Sequence, residues 1–168
     1  MNLTTLIASD LKVNPTAKSK FIVTFFRLAH ASAQLPKIFF PISMIVRLSY
    51  RFIVDWVMGV DIPVGTKIGP RLTIYHGFGL VINPATIIGS DCQLRHGVTI
   101  GNKIVAGRET KSPILGDFVE LGANCSIIGD ISIGSNSVIG ANTVVTKDLP
   151  DNSVAVGCNA RIISSQAL

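Results

Sequence analysis

The chain has little charge. Only 15 % of its 168 residues are Asp, Glu, Lys or Arg, whereas 48 % are hydrophobic, and the length fits about one domain. This composition leaves an excess of apolar side chains that must be covered. The interior of a repeat fold, a subunit interface and a membrane surface are the three places that would take them.

Cysteine is also scarce. Cys92, Cys125 and Cys158 form no CxxC pair, so neither a zinc site nor a redox motif is indicated. We interpret Cys92 and Cys125 as small buried side chains. Nothing at the start of the chain has the pattern of a cleavable signal peptide. We therefore expect a cytoplasmic protein, with association with the inner face of the membrane as an open alternative.

The positive charge is small and dispersed. The formal net charge is +5 and the pI about 9.4, a balance that favours an acidic partner. The basic residues are scattered, and no basic helix with interleaved aromatic residues occurs, so we predict no nucleic-acid partner. A ligand that carries several phosphates accounts for the excess equally well.

The chain does have a six-residue rhythm of aliphatic residues, often followed directly by glycine. Three runs carry it: Ile62, Ile68, Ile74 and Leu80; Ile82, Ile88, Leu94 and Ile100; and Leu115, Leu121, Ile127, Ile133, Ile139 and Val145. In most hexads a small or β-branched residue follows the aliphatic residue by four positions. A helix would repeat at 3.6 residues and a half-buried strand at two. A period of six is typical of a parallel β-helix, which we predict for this chain.

The first 59 residues lack the rhythm and read as helices. Residues 21–33 form an amphipathic pattern, with Phe21, Phe25, Leu28 and Ala29 on one side. Residues 37–58 are strongly apolar, but Arg47, Arg51 and Asp55 argue against a transmembrane helix because charges at a bilayer centre are costly. Their four-residue spacing predicts an Arg–Asp pair. We interpret residues 37–58 as a packed or interface-lying helix and leave membrane contact open.

Residues 101–113 (GNKIVAGRETKSP) interrupt the rhythm and are polar. We predict a loop ejected from the β-helix, and long loops of this kind are usually functional. The rhythm resumes at residues 115–145. Residues 153–163 are predicted to form a closing strand, because the last coil of a solenoid otherwise exposes its core.

Two histidines occupy matching places. His76 follows Ile74 by two residues and His96 follows Leu94 by two, so they should stack on one face, one coil apart. An imidazole suits general-base work at neutral pH. Asp61 precedes the first coil and could lie near enough to orient the His76 ring. The alternatives are a histidine without a role and an aspartate that caps a turn.

Small residues follow inward aliphatic residues on two stacked turns. Gly122-Ala123-Asn124 and Gly140-Ala141-Asn142 would leave a flat groove for an extended ligand. Ordinary turn chemistry explains the same residues, so this spacing alone favours neither interpretation.

These motifs together resemble the hexapeptide-repeat acyltransferases, which are left-handed β-helix enzymes that use acetyl-CoA. Within them the chain is similar to serine acetyltransferases, and more so to O-acetyltransferases of the colanic acid and capsule type. The resemblance covers most of the chain. Its motifs include Val60-Asp61-Ile62, Ile74-Tyr75-His76-Gly77, Arg95-His96-Gly97-Val98-Thr99-Ile100-Gly101-Asn102, Val119-Glu120-Leu121-Gly122-Ala123-Asn124 and Leu149-Pro150-Asp151-Asn152-Ser153.

The resemblance implies roles for particular residues. His76 matches the general base of the family and Asp61 the aspartate paired with it. It also implies a homotrimer whose active sites lie between subunits, with a dimer of trimers as an extension, and no metal. The implied acceptor-binding residues are Tyr75, His96, Lys111 and Ser112. The implied acetyl-CoA-binding residues are Gly101, Asn102, Gly122, Ala123, Gly140, Ala141, Lys147 and Arg161.

The chain departs from serine acetyltransferases where those enzymes read serine. Tyr75 stands in place of an aspartate, and Lys111-Ser112-Pro113 in place of Arg-His-Pro. Near the C-terminus, Gly157-Cys158-Asn159-Ala160-Arg161 replaces the usual Gly-x-Pro-Ala-Lys. We therefore expect acetylation of a sugar hydroxyl in exopolysaccharide or capsule biosynthesis.

Two other functions stay open, a serine O-acetyltransferase of cysteine biosynthesis and a structural trimer without catalysis. A zinc enzyme of the carbonic anhydrase type fits poorly because His76 and His96 are twenty residues apart. In domain terms, we predict an N-terminal helical segment at residues 1–59. A left-handed β-helix acyltransferase domain follows at residues 60–168, with its loop at residues 101–113.

Overall fold

The computed structural model describes residues 1–164 and shows a layer of helices followed by a parallel β-helix. The predicted end of the second domain, residues 165–168, lies outside the described residues. The helices are α1 (Leu3–Val13), α2 (Ala17–Ser32), a 3-10 turn (Lys37–Phe39), α3 (Phe40–Tyr50) and a π-helix (Arg51–Val57). Among these described segments none has the length and hydropathy needed to cross a bilayer.

Side-chain caps set where the first helices begin. The Asn2 side chain accepts a hydrogen bond from the Thr5 amide at the start of α1. A capping box between Thr16 and Ser19 starts α2, four residues before the predicted start at Phe21. Such caps satisfy amides that have no partner inside the helix.

The predicted side of α2 is buried only in part, through Ala29 and through Phe25, which packs against the core. Ile22, Val23 and Phe26 face the core, whereas Phe21 and Leu28 are exposed. Apolar residues lie on both sides of this helix, so hydrophobicity alone does not choose between them. The polar side chain of Arg27 determines which side of α2 is buried, because it donates hydrogen bonds to the first coil and is itself buried there.

Three sheets form the faces of the β-helix, and all pairings between coils are parallel. Sheet A contains β1 (Val60–Asp61), β4 (Leu80–Ile82), β7 (Thr99–Gly101), β12 (Ser126–Ile128) and β15 (Val144–Val145). Sheet B contains β2 (Lys67–Ile68), β5 (Ile87–Ile88), β10 (Ile114–Leu115) and β13 (Ser132–Ile133). Sheet C contains β3 (Thr73–Ile74), β6 (Gln93–Leu94), β11 (Glu120–Leu121), β14 (Val138–Ile139), β16 (Val154–Val156) and β17 (Arg161–Ser164).

The six-residue rhythm is the register of the coils. In sheet C, Leu94 pairs with Ile74 on one side and Leu121 on the other. Every aliphatic residue of the three runs is buried except Ile68, which is partly buried. The small residues four positions later, such as Thr66, Cys92 and Thr143, are buried too. The left-handed parallel β-helix predicted from the sequence is confirmed.

The ejected loop and the closing strand are also confirmed. Leu94 pairs with Leu121, 27 residues further on, whereas Leu121 pairs with Ile139 after 18. The additional residues form a hairpin of β8 (Ile104–Val105) and β9 (Arg108–Glu109). At the far end, β17 pairs antiparallel with β16 and closes sheet C.

At the near end, helix side chains take the place of a missing coil. The Asp10 carboxylate accepts from the Leu72 amide at 3.1 Å. The Asn14 side chain accepts from the Ile74 amide at 3.0 Å and donates to the Leu72 carbonyl at 2.7 Å. Asn14 therefore pairs with β3 as a neighbouring strand would.

Three further side chains continue this arrangement around the first coil. The Arg27 guanidinium donates to the carbonyls of Ile68 and Gly69 at 2.7 and 2.6 Å and forms a buried ion pair with Asp10. The His30 Nδ1 atom lies 2.7 Å from the Val64 carbonyl, and the Tyr50 hydroxyl donates to the Ile62 carbonyl at 2.7 Å. We refer to Asp10, Asn14, Arg27, His30 and Tyr50 as the first-coil cap.

Candidate active site

His76 and His96 lie together at the corner between sheets C and A. Because Ile74 pairs with Leu94, each histidine extends from the same place on successive coils. The ring centroids are 6.1 Å apart and the ring planes are inclined by 75°. The predicted stacking of the two histidines on one face is confirmed.

The turn that carries His76 is irregular. His76 has a φ of +53°, in the left-handed region that few residues other than glycine adopt. In the next coil at this corner the left-handed residue is Gly97, one position later in the register. A side chain on Gly77 would come within 2.6 Å of Ile22. Eight other residues of the described chain that are not glycine share this conformation, so it belongs to the corners and turns of the chain and does not by itself mark a functional site. The His76 side chain is exposed at this corner.

Aromatic and cationic side chains surround the two histidines. The Phe78 ring stacks on His96 with centroids 5.2 Å apart, and Lys18 Nζ lies 5.7 Å from the Phe78 centroid. The Arg95 guanidinium lies over the Tyr75 ring at 5.0 Å. Sequence reasoning gave Lys18 and Phe78 no place near the histidines and named Arg95 only within a motif; for Lys18 no signal existed because it comes from α2.

His96 holds one unsatisfied ring nitrogen. Its Nδ1 atom is buried and has no hydrogen-bond partner in the described part of the chain. A buried polar atom without a partner is costly and calls for an explanation.

Asp61 and His76 lie on different parts of the first coil. It ends β1 in sheet A and pairs with Val81, which is beyond the corner from His76. Among residues 1–164 of one protomer no hydrogen bond joins Asp61 to His76, so the expected contact is absent there. Asp61 instead faces a groove of about 500 Å³ that is also lined by Arg47, Tyr50 and Arg51.

The charge state of Asp61 depends on this groove. Burial, followed by the nearby Asp55 carboxylate, raises the pKa of Asp61, and the Arg51 guanidinium opposes the rise. The predicted pair between Arg51 and Asp55 is present, with Nε and Oδ2 3.8 Å apart. Burial, and then the Asp61 carboxylate, raise the pKa of Tyr50, which keeps its hydroxyl a donor.

Gly122, Ala123, Gly140 and Ala141 do form a groove. It has a volume of about 390 Å³ on sheet C and is also lined by Gln93, Arg95, Glu120 and Val138. Since Leu94 pairs with Leu121 and Leu121 with Ile139, the groove continues the line of the two histidines. A side chain on Gly122 would come within 2.6 Å of the Ala141 amide, so the groove requires glycine there.

The other predicted acetyl-CoA residues lie elsewhere on the protomer. Gly101 ends β7, the central strand of sheet A, and Asn102 follows it; there the Gly129 amide donates to the Gly101 carbonyl. Lys147 lines a separate cavity of about 220 Å³ with Asn159 and Ala160. Arg161 begins β17 opposite Val156. A single protomer therefore does not bring these residues to the groove.

The predicted acceptor residues in the loop are also apart from the histidines. Lys111 is exposed at the base of the hairpin. The Ser112 side chain is buried, and its hydroxyl donates to the Asn83 side chain at 2.8 Å. Ser112 therefore holds the hairpin base within this protomer.

A metal site and a reactive thiol are two further features that the described residues could provide. Within the described residues 1–164 no group of three His, Cys, Asp or Glu side chains could hold a metal ion. Burial raises the pKa of Cys92 to about 11 and that of Cys125 to about 12. Both thiols stay protonated at neutral pH, which agrees with their interpretation as small buried side chains.

Comparison with known proteins agrees with this geometry. A family model described as "Bacterial transferase hexapeptide (six repeats)" matches residues 112–147. The protein named "Putative colanic acid biosynthesis acetyltransferase WcaB" from Escherichia coli strain K12 is 44 % identical over 113 residues, covering 67 % of this chain and 68 % of that protein. A serine acetyltransferase from Helicobacter pylori is 37 % identical over 164 residues, covering 92 % of each chain.

Solved structures give the same result. The crystal structure of the serine acetyltransferase CysE from Neisseria gonorrhoeae superposes with a TM-score of 0.81 at 28 % identity, covering 99 % of this chain and 67 % of that one. Soybean serine acetyltransferase in complex with serine superposes with a TM-score of 0.80 at 27 % identity, covering 96 % and 69 %.

Proposed function

The chain belongs to the hexapeptide-repeat acyltransferases of the serine acetyltransferase type, and from this premise we propose that it acetylates a sugar hydroxyl in cell-surface polysaccharide biosynthesis. As a member, it is an O-acetyltransferase, and acetyltransferases of this kind use acetyl-CoA. The acceptor and the roles of individual residues are the substance of the proposal.

In the proposed reaction His76 acts as general base. A ring nitrogen of His76 takes the proton of the acceptor hydroxyl, and the oxygen bonds to the thioester carbonyl carbon. Preorganised backbone N–H donors would stabilise the oxyanion. The carbon–sulfur bond then breaks, and the proton held by His76 passes to the departing thiolate. The exposure of His76 beside the Gly122–Ala141 groove supports this role.

We infer that the complete site needs a second copy of the chain. One set of these residues lies at or just after the carboxyl ends of the strands of sheet A: Asp61, Gly101 and Lys147. The other set, His76 and Ala123, lies at the corner between sheets C and A. A neighbour that placed its sheet A against this corner would bring the two sets together. The trimer implied by the resemblance offers such a neighbour.

The contact between Tyr75 and Arg95 is the observation that favours a sugar over serine as the acceptor. In serine acetyltransferases an aspartate stands at the Tyr75 position, and a phenol ring beneath a guanidinium offers no charge for the amino group of serine. Ser112 is buried and bonded to Asn83, so it is not available to hold a carboxylate. Aromatic and cationic side chains with flat faces suit the apolar face and hydroxyls of a sugar.

A serine O-acetyltransferase is the second candidate. The match to the Helicobacter pylori enzyme over 92 % of both chains favours it. It requires that residues other than Tyr75 and Ser112 hold the amino acid.

The test is release of coenzyme A from acetyl-CoA with a panel of sugar acceptors and with free serine. We expect turnover with a sugar and none with serine. His76→Ala is expected to lower kcat by about 10²–10⁴-fold, the usual contribution of a general base. Its melting temperature should be unchanged because His76 forms no hydrogen bond within residues 1–164. Brisk turnover with serine would refute the sugar acceptor, and an unaffected His76→Ala variant would refute the base.

A further inference from the structure

The turn that carries His76 lies between a coil on one side and helices on the other. We refer to residues 74–78 as the His76 turn. On its inner side the Tyr75 amide donates to the Leu94 carbonyl of the next coil at 2.8 Å. The strand that leads into the turn, β3, is the outermost strand of sheet C. The outer side of the His76 turn therefore depends on the N-terminal helices, whereas turns further along the β-helix depend on another coil.

Asn14 holds the start of the His76 turn. Its side-chain oxygen accepts from the Ile74 amide at 3.0 Å, and its side-chain nitrogen donates to the carbonyls of Leu72 and Asp10 at 2.7 and 2.8 Å. Asn14 is 2 % exposed, and both hydrogens of its amide group are used. This side chain therefore fixes the backbone two residues before His76 and is not free to bind a substrate.

Ile22 of α2 supports the end of the same turn. Ile22 is fully buried, and a side chain on Gly77, the residue after His76, would come within 2.6 Å of its Cδ1 atom. One helical turn earlier on α2, Lys18 Nζ lies 5.7 Å from the centroid of the Phe78 ring. The helix therefore follows the chain closely over the two residues after the base.

The helices that make these contacts are themselves fixed to the first coil. Asn14 is the C-cap residue of α1, and Asp10 of α1 forms a buried ion pair with Arg27 of α2. The Arg27 guanidinium also donates to two carbonyls of the first coil. The contacts with the His76 turn thus belong to one hydrogen-bonded network, which is the kind of support that holds a functional side chain in place.

We infer that Asn14 and Ile22 are positioning residues for the general base. They support the His76 turn from the side opposite the next coil and so hold the His76 ring beside His96. A base must meet the acceptor hydroxyl in one orientation, and a displacement of about 1 Å can lower a rate by about 10²-fold. The inference rests on the role of His76 in the proposed function.

Two substitutions in the full-length chain test this role. Asn14→Leu is similar in size and removes the three side-chain hydrogen bonds of Asn14. Ile22→Val is milder and removes only the Cδ1 atom that meets the turn. His30→Ala is the matched control, because His30 also contacts a carbonyl of the first coil, that of Val64, but Val64 lies between β1 and β2, at another corner.

The first readout is nuclear magnetic resonance, which needs no substrate. The ring centroids of His76 and His96 are 6.1 Å apart, so the wild type should show a nuclear Overhauser effect between their ring protons. This effect should be lost in Asn14→Leu, weakened in Ile22→Val and kept in His30→Ala. Hydrogen exchange of the Ile74 amide should become faster in Asn14→Leu, which shows directly that the bond to this amide is gone.

The second readout is turnover of acetyl-CoA with a sugar acceptor. Asn14→Leu should lower kcat by about 10–10²-fold and leave the KM for acetyl-CoA unchanged, because the groove at Gly122 and Ala141 is untouched. Ile22→Val should lower kcat by a smaller factor, and His30→Ala should keep the wild-type kcat. If Asn14→Leu does not fold, Ile22→Val decides the question by the same two readouts.

Two outcomes would overturn the inference. One is fast exchange of the Ile74 amide in Asn14→Leu together with an unchanged effect between the rings and an unchanged kcat. The other is an equal loss of kcat in His30→Ala, since general weakening of the first coil would then explain both variants. Loss of the effect between the rings in a protein that turns over no acceptor would keep the support of the His76 turn and refute the proposed function instead.

Discussion

His76 and Asp61 differ in how the protomer holds them. His76 lies at a corner of the coil with its backbone in the left-handed region, and its side chain is exposed. Asp61 is fixed by its surroundings, where burial and a second carboxylate oppose its ionisation. Perturbed carboxylates of this kind cluster at functional sites, which agrees with the proposed role of Asp61.

Neighbouring charges should move the pKa of Asp61 in opposite directions. Asp55→Asn removes a carboxylate that raises this pKa, so the pKa should fall. Arg51→Gln removes a cation that lowers it, so the pKa should rise. A carbon-13 titration of the Asp61 carboxyl group measures both shifts against the wild type, whose value should lie above the ordinary value of about 3.9. Shifts of the same sign in the two variants would contradict the assignment.

The first-coil cap shows how an element made of helices completes one made of strands. The backbone groups on the outer edge of the first coil would otherwise face a gap, and an unpaired buried polar group costs about 1–3 kcal/mol. Arg27 satisfies two carbonyls and Asp10 at once. The cap therefore holds the helices on the β-helix by directional hydrogen bonds as well as by apolar contacts.

Arg27→Ala should destabilise the protein strongly. The substitution leaves Asp10 buried without its partner, and breaking a buried pair in this way costs about 3–5 kcal/mol. Arg51→Ala is the matched control, because the Arg51 side chain is 70 % exposed in its pair with Asp55, and a pair with one solvated partner should contribute about 0–1 kcal/mol. Urea denaturation followed by circular dichroism measures both free energies of unfolding. Equal effects of the two substitutions would show that the cap does not hold the helices.

The elements differ in how far the sequence predicts them. The hexad predicts the coils because each aliphatic residue has one fixed inward place, and Leu94 and Leu121 keep it across the hairpin. The buried face of α2 is predicted only in part, because the polar residue Arg27 is also buried on it through hydrogen bonds to backbone carbonyls far along the chain. The pairing of His76 with His96 follows from register. The separation of Asp61 from His76 does not, because spacing does not tell which side of a corner a residue occupies.

At the scale of the whole molecule, the tip of the hairpin projects from the β-helix and does not contribute to its core. The Thr110 amide donates to the Lys103 carbonyl at 2.8 Å, so the chain is already closed at the hairpin base. Ile104 and Val105 are exposed. In a repeat architecture the stability of each unit depends on its own contacts and on those with its neighbours. Removal of the hairpin tip should therefore leave the stability of the coils on either side unchanged.

Shortening the hairpin should therefore separate activity from stability. Replacing residues 104–109 with Asn-Gly gives a two-residue turn that suits the existing pair. The melting temperature should change by no more than about 2 °C, since surface changes are usually within about 0.5 kcal/mol. Acetyl-CoA turnover should fall if the hairpin borders a neighbour's groove. A large loss of melting temperature, measured by differential scanning fluorimetry, would show that the hairpin supports the coils.

The first-coil cap has a consequence beyond the single molecule. A solenoid whose end coil shows bare amides and carbonyls is a seed on which another molecule can stack its own end coil, and repetition of that step makes a fibre. Asn14 and Arg27 occupy those groups with side chains, which offer no onward row of backbone donors and acceptors. They act as a chain terminator does in a polymerisation: growth by coil stacking ends where the helices begin.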